Sequence, residues 1–191
     1  MQVNPAFFNM MRQDVLDRDL FALWLSPSPT QEPAGALTFG HADPDHYAGP
    51  VTWIPVTEKA YWTVPLGGAT VGGRTVPLAA RGAILDSGTT AILMSDADST
   101  RLHQSIPGLS YNAQGGYYVV KGGCDAVPSL PDISFVLGGQ PYAVPARLWT
   151  QAIPATASQG GGSGGTMCIS GIIPGGDSNS IILGDNFLRA W

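Results

Sequence analysis

Charge is scarce in this sequence. Only 12% of its 191 residues are charged, nine of them Lys or Arg, and the net charge is −5. Nine scattered cations form no stripe, which excludes a nucleic-acid footprint built on clustered Lys and Arg. No apolar run approaches the roughly 18 to 20 residues of a membrane-spanning helix. The opening Met1-Gln2-Val3-Asn4-Pro5 has no basic segment followed by an apolar one, so no signal peptide is expected; a secreted protein would carry that segment outside this sequence. There are just two cysteines and three histidines. Without a Cys-x-x-Cys, or His and Cys at ligand spacing, a bound metal is not expected. Cys124 and Cys168 leave two readings open, a bridge formed in an oxidising compartment or two buried thiols.

Apolar side chains, by contrast, are plentiful at 44%, and 25 Gly and 16 Pro are spread along the chain in turn-like pairs. That is the punctuation of many short strands, and it predicts a mostly β domain spanning residues 1–191. A short amphipathic helix is expected over 6–16, from apolar residues at 7, 8, 11 and 15. A buried strand is expected at Leu20–Ser26, and a half-buried one at Gly35–Gly40. Three consecutive strands should follow at 51–56, 61–66 and 69–76, turned by Gly67-Gly68 and Gly72-Gly73. Ser95 is the expected cap of a helix over 96–106, stopped by Pro107-Gly108. Further strands fall at 116–120, 133–137, 142–144, 167–171 and 180–184, with a short helix near 146–152. A last helix begins at Asp185 or Asn186 as cap. Residues 155–165 read as a flexible Gly/Ser-rich loop. The Gly161-Gly162-Ser163-Gly164-Gly165 run inside it matches a nucleophile-elbow pattern, but it lacks the flanking strand and helix such an elbow needs.

The stretch that carries chemistry is Ala83-Ile84-Leu85-Asp86-Ser87-Gly88-Thr89-Thr90-Ala91-Ile92-Leu93-Met94. An apolar strand enters a tight turn and leaves as a second apolar strand, which plants a carboxylate between buried flanks. Good turn chemistry alone accounts for Asp-Ser-Gly. It does not account for two apolar flanks. His41, His46 and His103 have no paired nucleophile and read as surface or loop residues.

Taken in order, these segments resemble the C-terminal lobe of a pepsin-like aspartic peptidase of fungal type. Ile84–Thr90 is similar to that family's second Asp-Thr/Ser-Gly-Thr signature, and Ile182–Arg189 to the hydrophobic-hydrophobic-Gly segment that completes the same site. Asp19–Ser26, Gly35–Gly40, Tyr47–Val56, Tyr61-Trp62, Leu130–Ile133 and Cys168–Gly171 follow in the family's order. The resemblance implies acid-pH peptide hydrolysis by two carboxylates, one per lobe, which share a proton and activate water. Asp86 would be one of them. Ser87 and Gly88 would cradle it, the Ser87 hydroxyl reaching toward the other lobe, and Thr89 would bond its outer oxygen. Thr90 and Ile84 would contact substrate, and Trp24 would line a primed-side pocket.

The same resemblance implies a Cys124–Cys168 bridge, no cofactor, a peptide or protein substrate, and a secreted or vacuolar acidic compartment. It also marks what is not written here. No second Asp-Thr/Ser-Gly and no flap Tyr occur, so the sequence reads as a fragment of an acid endopeptidase, its partner the missing N-terminal lobe that supplies the other Asp. The sequence also reads as ending before the lobe's last strands, so the chain alone is expected to be inactive and poorly soluble. A non-catalytic binding or inhibitory module, or a homodimer of the retroviral-protease kind, stands as the alternative.

Overall fold

The computed structural model describes residues 4–28, 32–155, 165–177 and 179–191. Two compact units make up the chain, Met1–Thr52 and Trp53–Trp191. In the first, helix α1 (Ala6–Arg12) precedes an antiparallel ribbon of β1 (Phe21–Leu25) and β2 (Gly35–Phe39). Strand alternation puts Phe21, Leu23, Leu37 and Phe39 on one face, paired Phe21↔Phe39 and Leu23↔Leu37. Phe7 of α1 packs edge-on against Phe21 at 5.2 Å. The strand expected to be buried is therefore half-open: Phe21 and Leu23 remain 37% and 40% exposed. A two-stranded ribbon covered by one short helix has too little protein around it to bury both faces.

The larger unit holds β3 (Thr63–Val71), β4 (Arg74–Val76), β5 (Gly82–Leu85), β6 (Ile92–Met94), α2 (Asp96–Gln104), β7 (Leu109–Asn112), β8 (Tyr117–Val120), β9 (Ile133–Leu137), β10 (Gln140–Val144), α3 (Ala146–Trp149), β11 (Thr150–Pro154), β12 (Thr166–Ser170), β13 (Ile172–Pro174), β14 (Ser180–Leu183) and α4 (Asp185–Leu188). One sheet runs β10-β9-β3-β5-β14-β6-β13, with β4 on β3; a second runs β11-β12-β8-β7. The core is built from Trp149, Phe135, Ile92, Met94, Leu102, Ile133, Ile181 and Leu183, all fully buried. The mostly β lobe with short helices is the fold class expected from the sequence. Ser95 caps α2 as expected, its hydroxyl accepting the Asp98 N–H at 3.2 Å, with Asp96 and Asp98 favourably placed in the first turn.

Three expectations fail for identifiable reasons. Residues 51–56 form no strand; apart from Ile54 they are exposed and find no ladder partner. Gly67-Gly68 is no turn but a bulge inside β3, where the register against β9 shifts between Leu66 and Gly68. Gly68 adopts φ +128°, a conformation open to glycine, and so keeps the strand running through the irregularity. Finally, α4 is capped by Gly184 with no side-chain cap, and Asp185 is already helical. Strands β7 and β13 had no clear sequence signal, and the helix expected over 146–152 stops at Trp149, where β11 begins. All three are edge strands: β7 closes a short hairpin on β8, β11 pairs β12 and β13 pairs the distant β6.

Of the Gly/Ser-rich loop at 155–165, residues 156–164 lie outside the described residues, and with them most of the Gly161–Gly165 run. At its base, the Ala155 N–H bonds the Gly165 carbonyl at 2.8 Å.

Candidate active site

The two apolar flanks of Asp86 do not pair with each other. Strand β14 runs between them, parallel to β5 (Ile182↔Ile84, Leu183↔Leu85) and antiparallel to β6 (Leu183↔Ile92). The segment 86–91 therefore crosses the end of β14 instead of closing a hairpin. The main chain stitches that crossing together. Asp86 N–H bonds the Leu183 carbonyl (3.2 Å), Gly184 N–H the Ala91 carbonyl (3.2 Å), Asp185 N–H the Thr89 carbonyl (2.8 Å) and Asn186 N–H the Thr90 carbonyl (3.0 Å). Gly184 passes so close beneath the loop that any Cβ there would collide with the Thr89 and Ala91 carbonyls. The Ile-Ile-Leu-Gly run thus has two duties. Its apolar residues fill the sheet, and its glycine lets two backbones touch.

Asp86 itself is half-buried, and each of its carboxylate oxygens has a donor. The Gly88 N–H reaches Oδ1 at 2.9 Å, and the Thr89 hydroxyl reaches Oδ2 at 2.6 Å. A Cβ on Gly88 would stand 3.1 Å from Oδ1, tight against the group it serves. These bonds favour the charged form and hold the Asp86 pKa below its ordinary value; Thr89 has the larger effect, Gly88 the smaller, and burial opposes both. Ser87 and Thr90 are exposed beside the carboxylate in sequence, and Ile84 is half-buried in β5 between Thr63 and Ile182. Trp24 belongs to the Met1–Thr52 unit, where its indole stacks on the His46 ring at 4.1 Å; His46 Nδ1 lies 3.2 Å from Asp43 Oδ2.

Asp185, a second carboxylate of the larger unit, meets the 86–91 loop through its N–H. Burial raises the pKa of Asp185; Arg189, 3.7 Å away, lowers it, and the charge of Asp86 raises it further. The signal was present in the sequence as an acid directly after the Leu-Gly step, but it reads equally well as helix-cap chemistry.

Cys124 and Cys168 are joined, as the resemblance implied, and the bridge ties the 3-10 turn Cys124–Ser129 to β12. His41 is exposed and His46 half-buried in its loop. His103 departs from expectation: it is 2% exposed, inside the unit. Among the described residues no cluster of His, Cys, Asp or Glu suits a metal ion, and no helix is long and apolar enough to cross a membrane.

The whole chain, residues 1–191, matches the family model described as eukaryotic aspartyl protease. Cathepsin D of Gallus gallus is 32% identical over 195 residues, covering 100% of this chain and 46% of that protein. Pepsin-2B of Gadus morhua is 35% identical over 187 residues, covering 98% and 53%. Vacuolar protease A of Arthroderma otae is 32% identical over 194 residues, covering 100% and 44%. The chain spans about half the length of the curated relatives it matches.

Proposed function

Because this chain belongs to the eukaryotic aspartyl protease family, we propose that it supplies one half of a peptide-hydrolysing site, with Asp86 as one of two catalytic carboxylates. The observation that carries this reading is the donor on each oxygen of Asp86, Gly88 N–H on one and Thr89 hydroxyl on the other. Two donors make Asp86 the better candidate for the ionised partner. A second carboxylate brought close to it cannot ionise as well, so it keeps a proton while Asp86 draws one from water. The water attacks the peptide carbonyl, the neutral carboxyl protonates the carbonyl oxygen, and the tetrahedral intermediate collapses with proton transfer to the leaving amine. The two apparent pKa values belong to the pair.

The second carboxylate comes from a first lobe, the other half of the relatives' length. Phe21, Leu23, Leu37 and Phe39, still 37% to 52% exposed beside Phe7 of α1, suit a chain that packs against that lobe. Ser87, Thr90 and Ile84 then meet substrate or the facing loop. An acidic secretory or vacuolar compartment fits both the disulfide and the chemistry. A module that only binds has no use for a donor on each carboxylate oxygen.

The test is reconstitution. The purified chain should leave unfolded casein intact at acid pH. Expressed as a fusion with a first lobe carrying its own Asp-Thr-Gly, it should cut, and a transition-state-mimicking peptide should block it. Asp86→Asn in the fusion should lose activity by about two orders of magnitude or more, the scale of losing a catalytic acid–base group. A fusion that cuts equally well with Asp86→Asn would refute the assignment. Cutting by the unfused chain would refute the need for a first lobe.

A further inference from the structure

We propose that His103 is a proton-operated latch, which in its neutral form fastens helix α2 to the β12–β13 corner and which acid releases. The imidazole is buried in the larger unit, and every polar atom around it has a defined role. Its Nδ1 lies 2.7 Å from the Ser99 carbonyl oxygen. A carbonyl only accepts, so Nδ1 carries the hydrogen. Nε2 is then a bare lone pair, and it accepts the Ser170 hydroxyl at 2.8 Å across 67 residues of sequence. The Ser170 oxygen in turn accepts the Ile172 N–H at 3.1 Å. The Ser99 hydroxyl oxygen also lies 3.3 Å from Nδ1, a longer second contact for the same N–H, and Nε2 accepts from Ser170 only in the neutral ring. A proton on Nε2 would face the Ser170 hydroxyl hydrogen and force that hydroxyl to find another acceptor.

Among the described residues no carboxylate faces the ring; only the Ser99 carbonyl and the face of Tyr118 favour a positive charge there. Tyr118 of β8 lies flat on the ring at 3.8 Å and 3°, with Tyr111 of β7 behind it at 5.0 Å. On α2, the Asp98 carboxylate is turned to the Ala79 and Ala80 N–H groups and held by Arg101 at 2.9 Å, while Asp96 and Arg101 are exposed. Lys121, just past β8, is exposed, and β12 and β13 bring no ionisable side chain except the bridged Cys168. Burial accordingly lowers the His103 pKa from its ordinary 6.5 to about 4, the Ser99 carbonyl opposing.

The latch is tied to the site. Gly171, next to Ser170, offers its carbonyl to the Ile92 N–H at 3.0 Å and to the Asn186 side chain at 3.4 Å. Ile92 begins β6 where the Asp86 loop ends, and Asn186 lies on α4 beside Asp185. Releasing Ser170 therefore loosens the anchor of β6 and of α4, the elements on either side of Asp185's approach to the 86–91 loop.

The sign follows from proton counting. Between pH 6.5 and about 4 the unfolded chain holds a proton on this histidine and the folded chain does not, so stability falls as pH drops through that window. Below pH 4 the penalty on the folding equilibrium reaches roughly two orders of magnitude.

Urea unfolding of the full chain across this window, beside His103→Gln and His103→Leu, is the experiment, together with an imidazole NMR titration of the wild type. The wild type should lose its extra factor between pH 6.5 and 4, the variants should not, and His103 should stay neutral with hydrogen on Nδ1 at pH 5.5. Parallel stability curves, or a His103 resonance titrating near the ordinary 6.5, would overturn the proposal. If neither variant folds, the wild-type titration decides alone. None of these readouts uses activity, so they are independent of the catalytic reading above.

Discussion

The Thr89 hydroxyl lies 2.6 Å from Asp86 Oδ2, the short distance of a hydroxyl donating to a carboxylate. It contributes more than any other interaction to keeping Asp86 ionised. Thr89→Val keeps the side chain's shape and removes the donor. The Asp86 pKa should rise toward its ordinary value, read by carboxyl-carbon NMR in the chain itself. In the two-lobe fusion the acid limb of the pH–rate profile should move up with it. Because the folded pKa is depressed, Asp86 stabilises the chain above the unfolded value of 3.8 and loses that contribution as pH falls through the folded value. The variant should lack that acid-side loss. An unmoved Asp86 titration would contradict the assigned cause.

Gly184→Ala should be costly although its φ of −84° is open to any residue. The obstacle is contact, since the added methyl would meet the Thr89 and Ala91 carbonyls, which are main chain and cannot swing aside. A loss of about 1–3 kcal/mol is expected from overpacking of this kind, seen as a lower urea midpoint. A midpoint within error of wild type would mean the crossing is looser than the geometry indicates.

Reducing the Cys124–Cys168 bridge, or replacing both residues by Ser, opens a loop closed over 44 residues. Loop entropy puts the cost at about 4 kcal/mol. Thermal melts with and without reductant measure it. Equal melting temperatures would show that the bridge restrains little in the unfolded chain.

Asp185→Asn should change stability on the acid side in the opposite sense from Thr89→Val. Burial raises the Asp185 pKa above 3.8, so the folded chain holds this proton longer than the unfolded one, and stability falls as pH rises through that interval. The amide removes the dependence. Urea midpoints measured from below pH 3.8 upward should fall less in the variant than in the wild type. A steeper fall would instead mean that the Arg189 contact outweighs burial.

Much of the site was legible in the residue order. Ser95 as a cap and the apolar strands of β5, β6 and β14 are local patterns, written in periodicity and turn chemistry, although α2 ends at Gln104, before Pro107-Gly108. The failures share a cause. Gly67-Gly68 carries the signature of a turn, and only the strand pairing with β9 converts it into a bulge. Asp185 carries the signature of a cap, and only the approach of the 86–91 loop makes it a neighbour of Asp86's charge.

His103 shows the same limit in its sharpest form. Nothing in Thr-Arg-Leu-His-Gln says which side of a helix will be covered. The decision rests with Ser170, 67 residues away, and with Tyr118 lying on the ring. By itself the sequence determined which side chains exist to do chemistry, a carboxylate, a glycine and a threonine in one tight run, because local sterics and hydrogen bonding act between neighbours. Tertiary structure alone decided that β14 separates the two flanks of Asp86, that Gly184 must pass bare beneath Thr89, and that one histidine is sealed from water, because burial and strand pairing depend on partners that no local pattern specifies.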